Sequence, residues 1–545
     1  MKSFNKNIGA LAVFFLAIVI GLSSCRQEED FLRVRMFSPV LKSNLESINN
    51  EIVVNLMPFS DAVGYHIEVS RDSFSTVEYS YVSDSSYTVI GEETVGEELF
   101  WNTRYQIQVR AIADKEEYNS NVSDLGTIRT QTFPSNLINP SPFDVTDKAA
   151  RVTWEQAGAA ITGVKAFDPD DLRLEHPILE DEVSDSDSDN GEKIFSGLEP
   201  EKTYQIAIYS GETLRGWTNF TTKPADIDPN APGVIDITDL DDPFALNAAF
   251  EMAADGDIIL LKYGNFYHIP SADLNKSITV QAQLGFGEQK AIIETTDADS
   301  DWNIPDGVSI DFIRFKNVEL RGLTSKHYVF NSNRSNTSIG EITFEDCRLH
   351  TFRSVARLRG AITVGAFSIK NSIVYNLPDD NAVARFEGGP VGTILFENST
   401  FYQCRRVLRS STSAERIDFT SCTFSEAPRH NDSSYIFDFG SNDVSGGVGI
   451  TNCIFGRGWN NSSTEPEEYT SRGFSFGDNT NVSATNSFKT GDFVWSHDGE
   501  MLTPLTYSGS IEDLWEKPQE GDFNFKDKGF SGAFNCGDPR WRIEL

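Results

Sequence analysis

Seven histidines and six cysteines are spread over 545 residues. No two cysteines stand in a C-x-x-C pair, so a zinc ribbon, a redox dithiol and a dense disulfide framework are all disfavoured. Basic residues are also scarce. Lys and Arg number 46 against 81 Asp and Glu, a formal charge of −35. That balance argues against nucleic acid as a partner and suits an exported protein that must stay in solution. No apolar run after residue 22 is long enough to read as a membrane span. The length implies several domains.

What the chain does have is a repeat. Seven segments in its C-terminal half follow apolar–x–apolar–x–(Asn/Asp/Ser)–(small or Val)–x–apolar. They begin at Ile313, Ile342, Phe367, Ile394, Ile417 and Val448, with a degenerate copy at Val482. Their polar positions are Asn317, Asp346, Asn371, Asn398, Ser421, Asn452 and Asn486, spaced 23 to 34 residues apart. Alternating apolar residues at that period indicate one short strand per turn of a solenoid, whose turns share a core that none could form alone. The Asn, Asp or Ser falls where the chain leaves the strand, because these residues tolerate left-handed backbone. Stacked asparagines can also form a side-chain ladder. Cys347, Cys422 and Cys453 follow three of these positions and should point inward as small apolar residues.

The repeat resembles the right-handed parallel β-helix of the pectate-lyase-like superfamily, over residues 232–545. An amphipathic segment from Asp242 to Ala253, followed by Gly256-Asp-Ile258-Ile-Leu260 and Gly264-Asn-Phe-Tyr267, resembles that superfamily's cap helix and first turn. The resemblance implies an all-β fold with a helix covering the open end of the sheet.

At the N-terminus, Lys2 and Lys6 precede an apolar run from Ile8 to Leu22, ending in Leu22-Ser23-Ser24-Cys25. This resembles a bacterial lipoprotein signal, residues 1–24, with Cys25 as the lipidated residue. The alternative is an ordinary secretory signal with a chance cysteine. The acidic tether 25–31, with Arg26-Gln-Glu-Glu-Asp30, resembles the surface-export signal of outer-membrane lipoproteins in glycan-degrading Gram-negative bacteria. That implies a cell-surface protein held to the outer membrane by lipid alone.

Two β-sandwiches are expected before the solenoid, at 32–133 and 138–224, each built of short alternating strands. Gly197-Leu198-Glu-Pro200 leading to Tyr204-Gln-Ile206-Ala-Ile208 resembles fibronectin type III domains, with Tyr204 as the tyrosine corner; Tyr105 takes that role in the first module. Both read as spacers, with ligand binding the alternative. Residues 168–192 hold eleven Asp and Glu and one Arg. Asp185-Ser-Asp187-Ser-Asp189-Asn-Gly191 resembles a calcium loop, but its glycine is displaced and no glutamate closes it, so a flexible solvated loop is expected. Residues 225–231 read as a linker.

A second strand can be read in each turn. Val355-Ala-Arg357-Leu358-Arg359-Gly360 aligns with Val383-Ala-Arg385-Phe386-Glu387-Gly388, and the next turn offers Arg406-Val-Leu408-Arg409-Ser410. If Leu358, Phe386 and Leu408 point inward, Arg357, Arg359, Arg385, Glu387 and Arg409 point out, one turn apart at about 4.8 Å. Residues 353–409 carry eight Lys and Arg against four Asp and Glu, inside an acidic chain. Guanidinium groups bind carboxylates bidentately, so such a ladder suits an acidic polysaccharide, for instance a polyuronate. The alternative is that Arg359, Glu387 and Arg409 pair across turns as surface salt bridges of little worth.

Pectate-lyase-like enzymes break uronate chains by β-elimination, with an Arg or Lys base and often Ca²⁺ held by carboxylates. In that reading Arg357, Arg359 and Arg385 are the candidate bases, but the acidic calcium cluster is missing. Asp379, Asp380 and Glu387 are the only acids nearby, besides Glu397 on another strand. A hydrolase would need two carboxylates, and Glu387 and Asp438 are the pair on offer. Trp302 and Trp459 are candidate sugar-stacking residues, with Trp495 and Trp515 in the irregular C-terminal part, while Trp541 should pack the end cap. The expected function is polysaccharide capture at the cell surface, with a glycan transporter complex as a further candidate partner. No metal or cofactor is expected, save Ca²⁺ if the protein is a lyase. A lyase is the first alternative, and a structural or adhesive surface protein the second.

Overall fold

The computed structural model describes residues 35–379, 381–428, 435–459, 470–495 and 504–543. The lipidation candidate Cys25, the signal, the tether and Asp380 lie outside them, as does the side chain of Trp495. The chain divides into two units, Met1–Asn136 with Glu212–Trp217, and Leu137–Gly211 with Thr218–Leu545.

The first unit holds a β-sandwich. One sheet orders Glu46–Ile48, Glu51–Asn55 and Tyr87–Ile90; the other orders Tyr79–Ser83, Gly64–Ser70, Arg104–Ile112 and Ser123–Arg129. Arg104–Ile112 buries alternate residues, Tyr105, Ile107, Val109 and Ala111, as a strand with one face on a core must. The Tyr105 hydroxyl accepts from the Phe100 N–H at 2.9 Å.

The second unit begins with another sandwich. Gly163–Phe167 lies between Leu179–Glu182 and Thr203–Ser210, all antiparallel, facing a sheet of Glu192–Ser196, Ala149–Trp154 and Leu137–Ile138. Tyr204 repeats the Tyr105 arrangement, accepting from the Glu199 N–H at 2.9 Å. The acidic insertion is ordered, contrary to the expected flexible loop. Asp185–Asn190 is a short helix, with Ser184 and Asp187 forming a capping box and Gly191 closing it at φ 72°. Helical geometry puts Asp185 and Asp189, four residues apart, on one side and turns Asp187 away from both, so the three carboxylates do not converge as a calcium loop would. Asp187 and Asp181 instead share Lys193, each at 3.3 Å. The stretch 225–231, read as a linker, is tied to both of its neighbours. Asp226 donates its N–H to Asp147 and accepts from the Leu284 N–H at 2.6 Å, joining sandwich to solenoid.

The solenoid is a parallel β-structure with three faces. The first runs through Ile258–Leu261, Ile278–Ala282 and Ser309–Lys316 to Val391–Glu397, Ala414–Thr420, Val448–Thr451 and Val482–Thr485. The second is a ten-stranded sheet from Phe266–His268 to Leu505–Thr506. The third holds Ala384–Glu387, Leu408–Ser410, Phe437–Asp438 and Phe474–Ser475. Two long strands, Tyr328–Glu345 and Ser354–Lys370, bend from the third face onto the first, with a register shift between Arg334 and Thr337.

Every expected corner residue, from Asn317 to Asn486, has φ between 45° and 54°. The left-handed step is what turns the chain from the first face to the second. The asparagine ladder forms only where asparagines adjoin: Asn398 donates to Asn371 at 3.1 Å and Asn486 to Asn452 at 2.8 Å. Asp346 and Ser421 interrupt it. Inside, Phe315, Phe344, Ile369, Phe396, Phe419 and Ile450 stack in register and are fully buried. Cys347, Cys422 and Cys453 point inward as expected. Burial pushes the Cys347 thiol up to about 12, so it acts as filler. At the start, the helix Ala245–Met252 buries Ala245, Leu246, Ala249 and Phe250 in the same core.

The C-terminal residues do not cap the end. They lie along the second face, where Trp515, Phe523, Phe525 and Phe530 pack with Tyr402, Ile454 and Phe488. A strap then crosses successive turns: Gly537 donates to the Asn452 carbonyl, Asp538 bonds Thr423 and Thr400, and Arg540 reaches the Asn371 carbonyl. Trp541 belongs to this strap, donating to Thr400 at 2.8 Å, rather than to an end cap.

Candidate functional site

The third face carries the expected arginines in an outward row. Strand register places Asn331 beside Arg357, Arg357 beside Arg385, Arg385 beside Arg409, and Arg409 beside Asp438. The inward neighbours Phe330, Ala356, Ala384, Leu408 and Phe437 form the matching buried row. Leu408 lies beside Ala384 rather than Phe386, two residues from the alignment read in the sequence. A two-residue slip keeps the same side chains outward, because the strand period is two. It moves Arg409 into line with Arg357 and Arg385, while Arg359 and Glu387 form a second, parallel row.

The pairing differs from the salt bridges anticipated among Arg359, Glu387 and Arg409. Glu387 bridges two arginines of the first row, accepting from Arg357 Nε at 3.0 Å and Arg385 Nη2 at 2.5 Å. Arg359 donates instead to Asn331 at 3.1 Å, and Arg409 has an ion pair with Asp438 at 3.6 Å. Arg385 is further fixed by Asn381 at 2.6 Å, and Asn381 in turn donates to the Tyr328 hydroxyl. Arg353 faces Asp379 at 3.6 Å.

These contacts set the charges. Burial works against the Arg357 cation, but Glu387 more than offsets it and raises its pKa. For Arg385, burial and then the flanking Arg409 and Arg357 charges outweigh Glu387, so its pKa is lowered. Burial would raise the Glu387 carboxyl, yet Arg357 and Arg385 hold it below the usual range. At the other end of the face, burial raises Asp301 despite nearby Arg334, Asn331 and Arg359.

Two family models match the solenoid. One, a domain of unknown function (DUF4957), matches residues 264–404, and the other, a domain of unknown function (DUF5123), matches residues 394–541. Neither spans half of the chain, and neither description names an activity. Their junction falls inside the arginine row, with Arg357 and Arg385 in the first match and Arg409 in the second. No curated protein matches. Among solved structures, the crystal structure of chicken CNTN1 FN1-FN3 domains has 15% identity and a TM-score of 0.15, covering 35% of this chain and 68% of that one.

The tryptophans do not join the arginines. Trp302 is 1% exposed and stacks between Phe250 and Phe315, with ring centroids 5.9 and 4.6 Å away. The reading of Trp302 as a sugar platform is therefore corrected: it fills the core behind the cap helix. Trp515 is likewise fully buried. Trp459 is half-buried, its backbone N–H bonded to the Pro428 carbonyl at 2.8 Å, and no contact links it to the arginine row among the described residues.

Calcium does not fit the row. Among the described residues no group of three or more His, Cys, Asp or Glu could hold a metal ion. Asp438 in line with the arginines and Glu387 in the parallel row are each already paired with guanidinium. The parts missed in the sequence are Asn331, Asn381, Tyr328 and Asp301. They surround the arginines through loops and neighbouring turns, where no local pattern marks them. A second left-handed corner was also missed. Thr351, Asn376, Gln403 and Glu426 all have positive φ, each five residues after a first-corner residue. That constant offset was the available signal.

Proposed function

We propose that this protein is a surface-anchored lipoprotein that captures acidic polysaccharide on the third face of its solenoid. The observation that supports this best is the in-register run Arg357, Arg385, Arg409, one turn apart, in a chain of net charge −35. Parallel strands repeat the guanidinium groups at a fixed spacing, which suits a polymer with a carboxylate on each sugar. The lipobox ending at Cys25 and the acidic tether supply the anchor. The right-handed pectate-lyase-like solenoid and the fibronectin type III-like modules, with tyrosine corners at Tyr105 and Tyr204, serve as scaffold and spacer.

The test is binding of the full chain to polygalacturonate, alginate and a neutral glucan. Salt-sensitive retention on the uronates and none on the glucan is expected; equal binding to the glucan would refute the reading. Replacing Cys25 by Ala should abolish lipid incorporation.

A second reading, uronate lyase, is favoured by one observation, the placement of Arg385 in register between Arg357 and Arg409, where burial and the two flanking charges work against its cation. Growth of absorbance from unsaturated uronate, stopped by Arg385→Ala, would establish it in place of simple capture.

A further inference from the structure

The arginine row contains two steps, and among the described residues a carboxylate bridges one of them. Between Arg357 and Arg385, Glu387 bridges both guanidinium groups with one carboxylate. Between Arg385 and Arg409 the register continues, with Phe386 beside Ser410. The residue after Ser410 therefore stands where Glu387 stands one turn earlier. It is Ser411, which is exposed and whose N–H bonds the Phe386 carbonyl at 2.9 Å, keeping the strands paired at that point.

Arg409 also differs from its neighbours in how its donors are used. Asp438, one turn further on, lies 3.6 Å from its Nε, an ion pair beyond good hydrogen-bond length. The Arg409 guanidinium donates no hydrogen bond to any described residue. Arg385, by contrast, is held firmly by Asn381 and Glu387. One fixed guanidinium and one that donates no hydrogen bond among the described residues thus flank a position where the repeat supplies a small hydroxyl in place of an acid.

We propose that the Arg385–Arg409 step is a subsite for a single sugar carboxylate, which bridges the two guanidinium groups as Glu387 does one turn earlier, beside the Ser411 hydroxyl. This rests on the reading of the third face as a polyanion surface, and it names where a carboxylate sits on that face. The Glu387 bridge specifies the ligand chemistry. A flat carboxylate presents its two oxygens to two donors a strand spacing apart, about 4.8 Å. A uronate offers that group directly.

The test installs the missing acid. With the full chain and polygalacturonate as probe, Ser411→Glu should weaken binding by about tenfold or more, because its carboxylate occupies the slot and repels the ligand. Ser411→Gln, of the same length without charge, should stay within about twofold of wild type, and Ser411→Lys should bind at least as tightly. The position is exposed, so an unchanged unfolding transition in all three variants is expected as the control. If wild type binds and Ser411→Glu binds equally well, the subsite is wrong and the polyanion reading stands. Equal losses in the Glu and Lys variants would make the effect steric and overturn the proposal. Dextran sulfate displacing polygalacturonate on an equal-charge basis would overturn the carboxylate preference. Wild type that binds no uronate polymer would remove the underlying reading itself.

Discussion

On the first face of the solenoid, Lys316, Glu345, Lys370 and Glu397 share one outward row. On the third, Arg357, Arg385 and Arg409 do. The spacing is the same and the core behind both rows is continuous. Alternating signs set an opposite charge beside each of these residues in the neighbouring turn, and Lys316 pairs with Glu345 at 2.9 Å. Three successive cations cannot do this. The third face must borrow acids from the parallel row, Glu387, and from beyond the run, Asp438. A solenoid forces outward neighbours to interact, and the order of their signs decides whether a face satisfies itself or retains attraction for an outside anion.

Core damage should erase the difference between the faces. Phe344 is fully buried and stacks on Phe315 with centroids 5.3 Å apart. Phe344→Ala should cost about 3–5 kcal/mol in urea unfolding, with loss of stability under both faces together. Removing charge should instead separate them. Arg357→Ala, Arg385→Ala and Arg409→Ala combined should reduce polygalacturonate binding by about tenfold or more, while Lys316→Ala with Lys370→Ala changes it by less than about twofold. Similar losses from both sets would mean that the chain responds to total charge and not to the row.

Acid titration sharpens the contrast at one residue. Glu387 is held below its ordinary range in the fold, so its contribution is present above the unfolded glutamate value and lost as pH falls through the lowered one. Glu387→Gln lacks this term. The stability gap between wild type and the variant should be about 1 kcal/mol at neutral pH and should close in acid. A gap that widens in acid would reverse the assigned sign. The smallest effect is expected on the first face, where Lys316→Ala should change stability by less than about 0.5 kcal/mol, since its pair with Glu345 is half-buried at the surface and still screened by water.

The solenoid was legible because its rule is local. Ile342-Thr-Phe344-Glu-Asp346 states in five residues which side chains go inward and where the chain turns, and each turn repeats it. The outward direction of Arg357, Arg385 and Arg409 followed from the same alternation. Trp302 misled because an indole beside acidic loop residues looks like a surface platform. Only the position of the cap helix shows that Phe250 and Phe315 enclose it. The acidic insertion misled in the opposite way, since Ser184 and Asp187 form a helix cap that composition conceals.

By itself, then, the sequence determined the periodicity, the inward and outward sides of each strand and the first of the two left-handed corners, all of which depend on residues within a few positions of one another. The tertiary structure decided what faces what across turns: Arg409 in line with Arg385, Glu387 between two arginines, the C-terminal strap over Thr400 and Thr423. Turns here vary in length by up to eleven residues, so the sequence offset between turns does not fix the strand register. Register is set by which side chains fill the shared core, and that packing exists only once the turns are stacked.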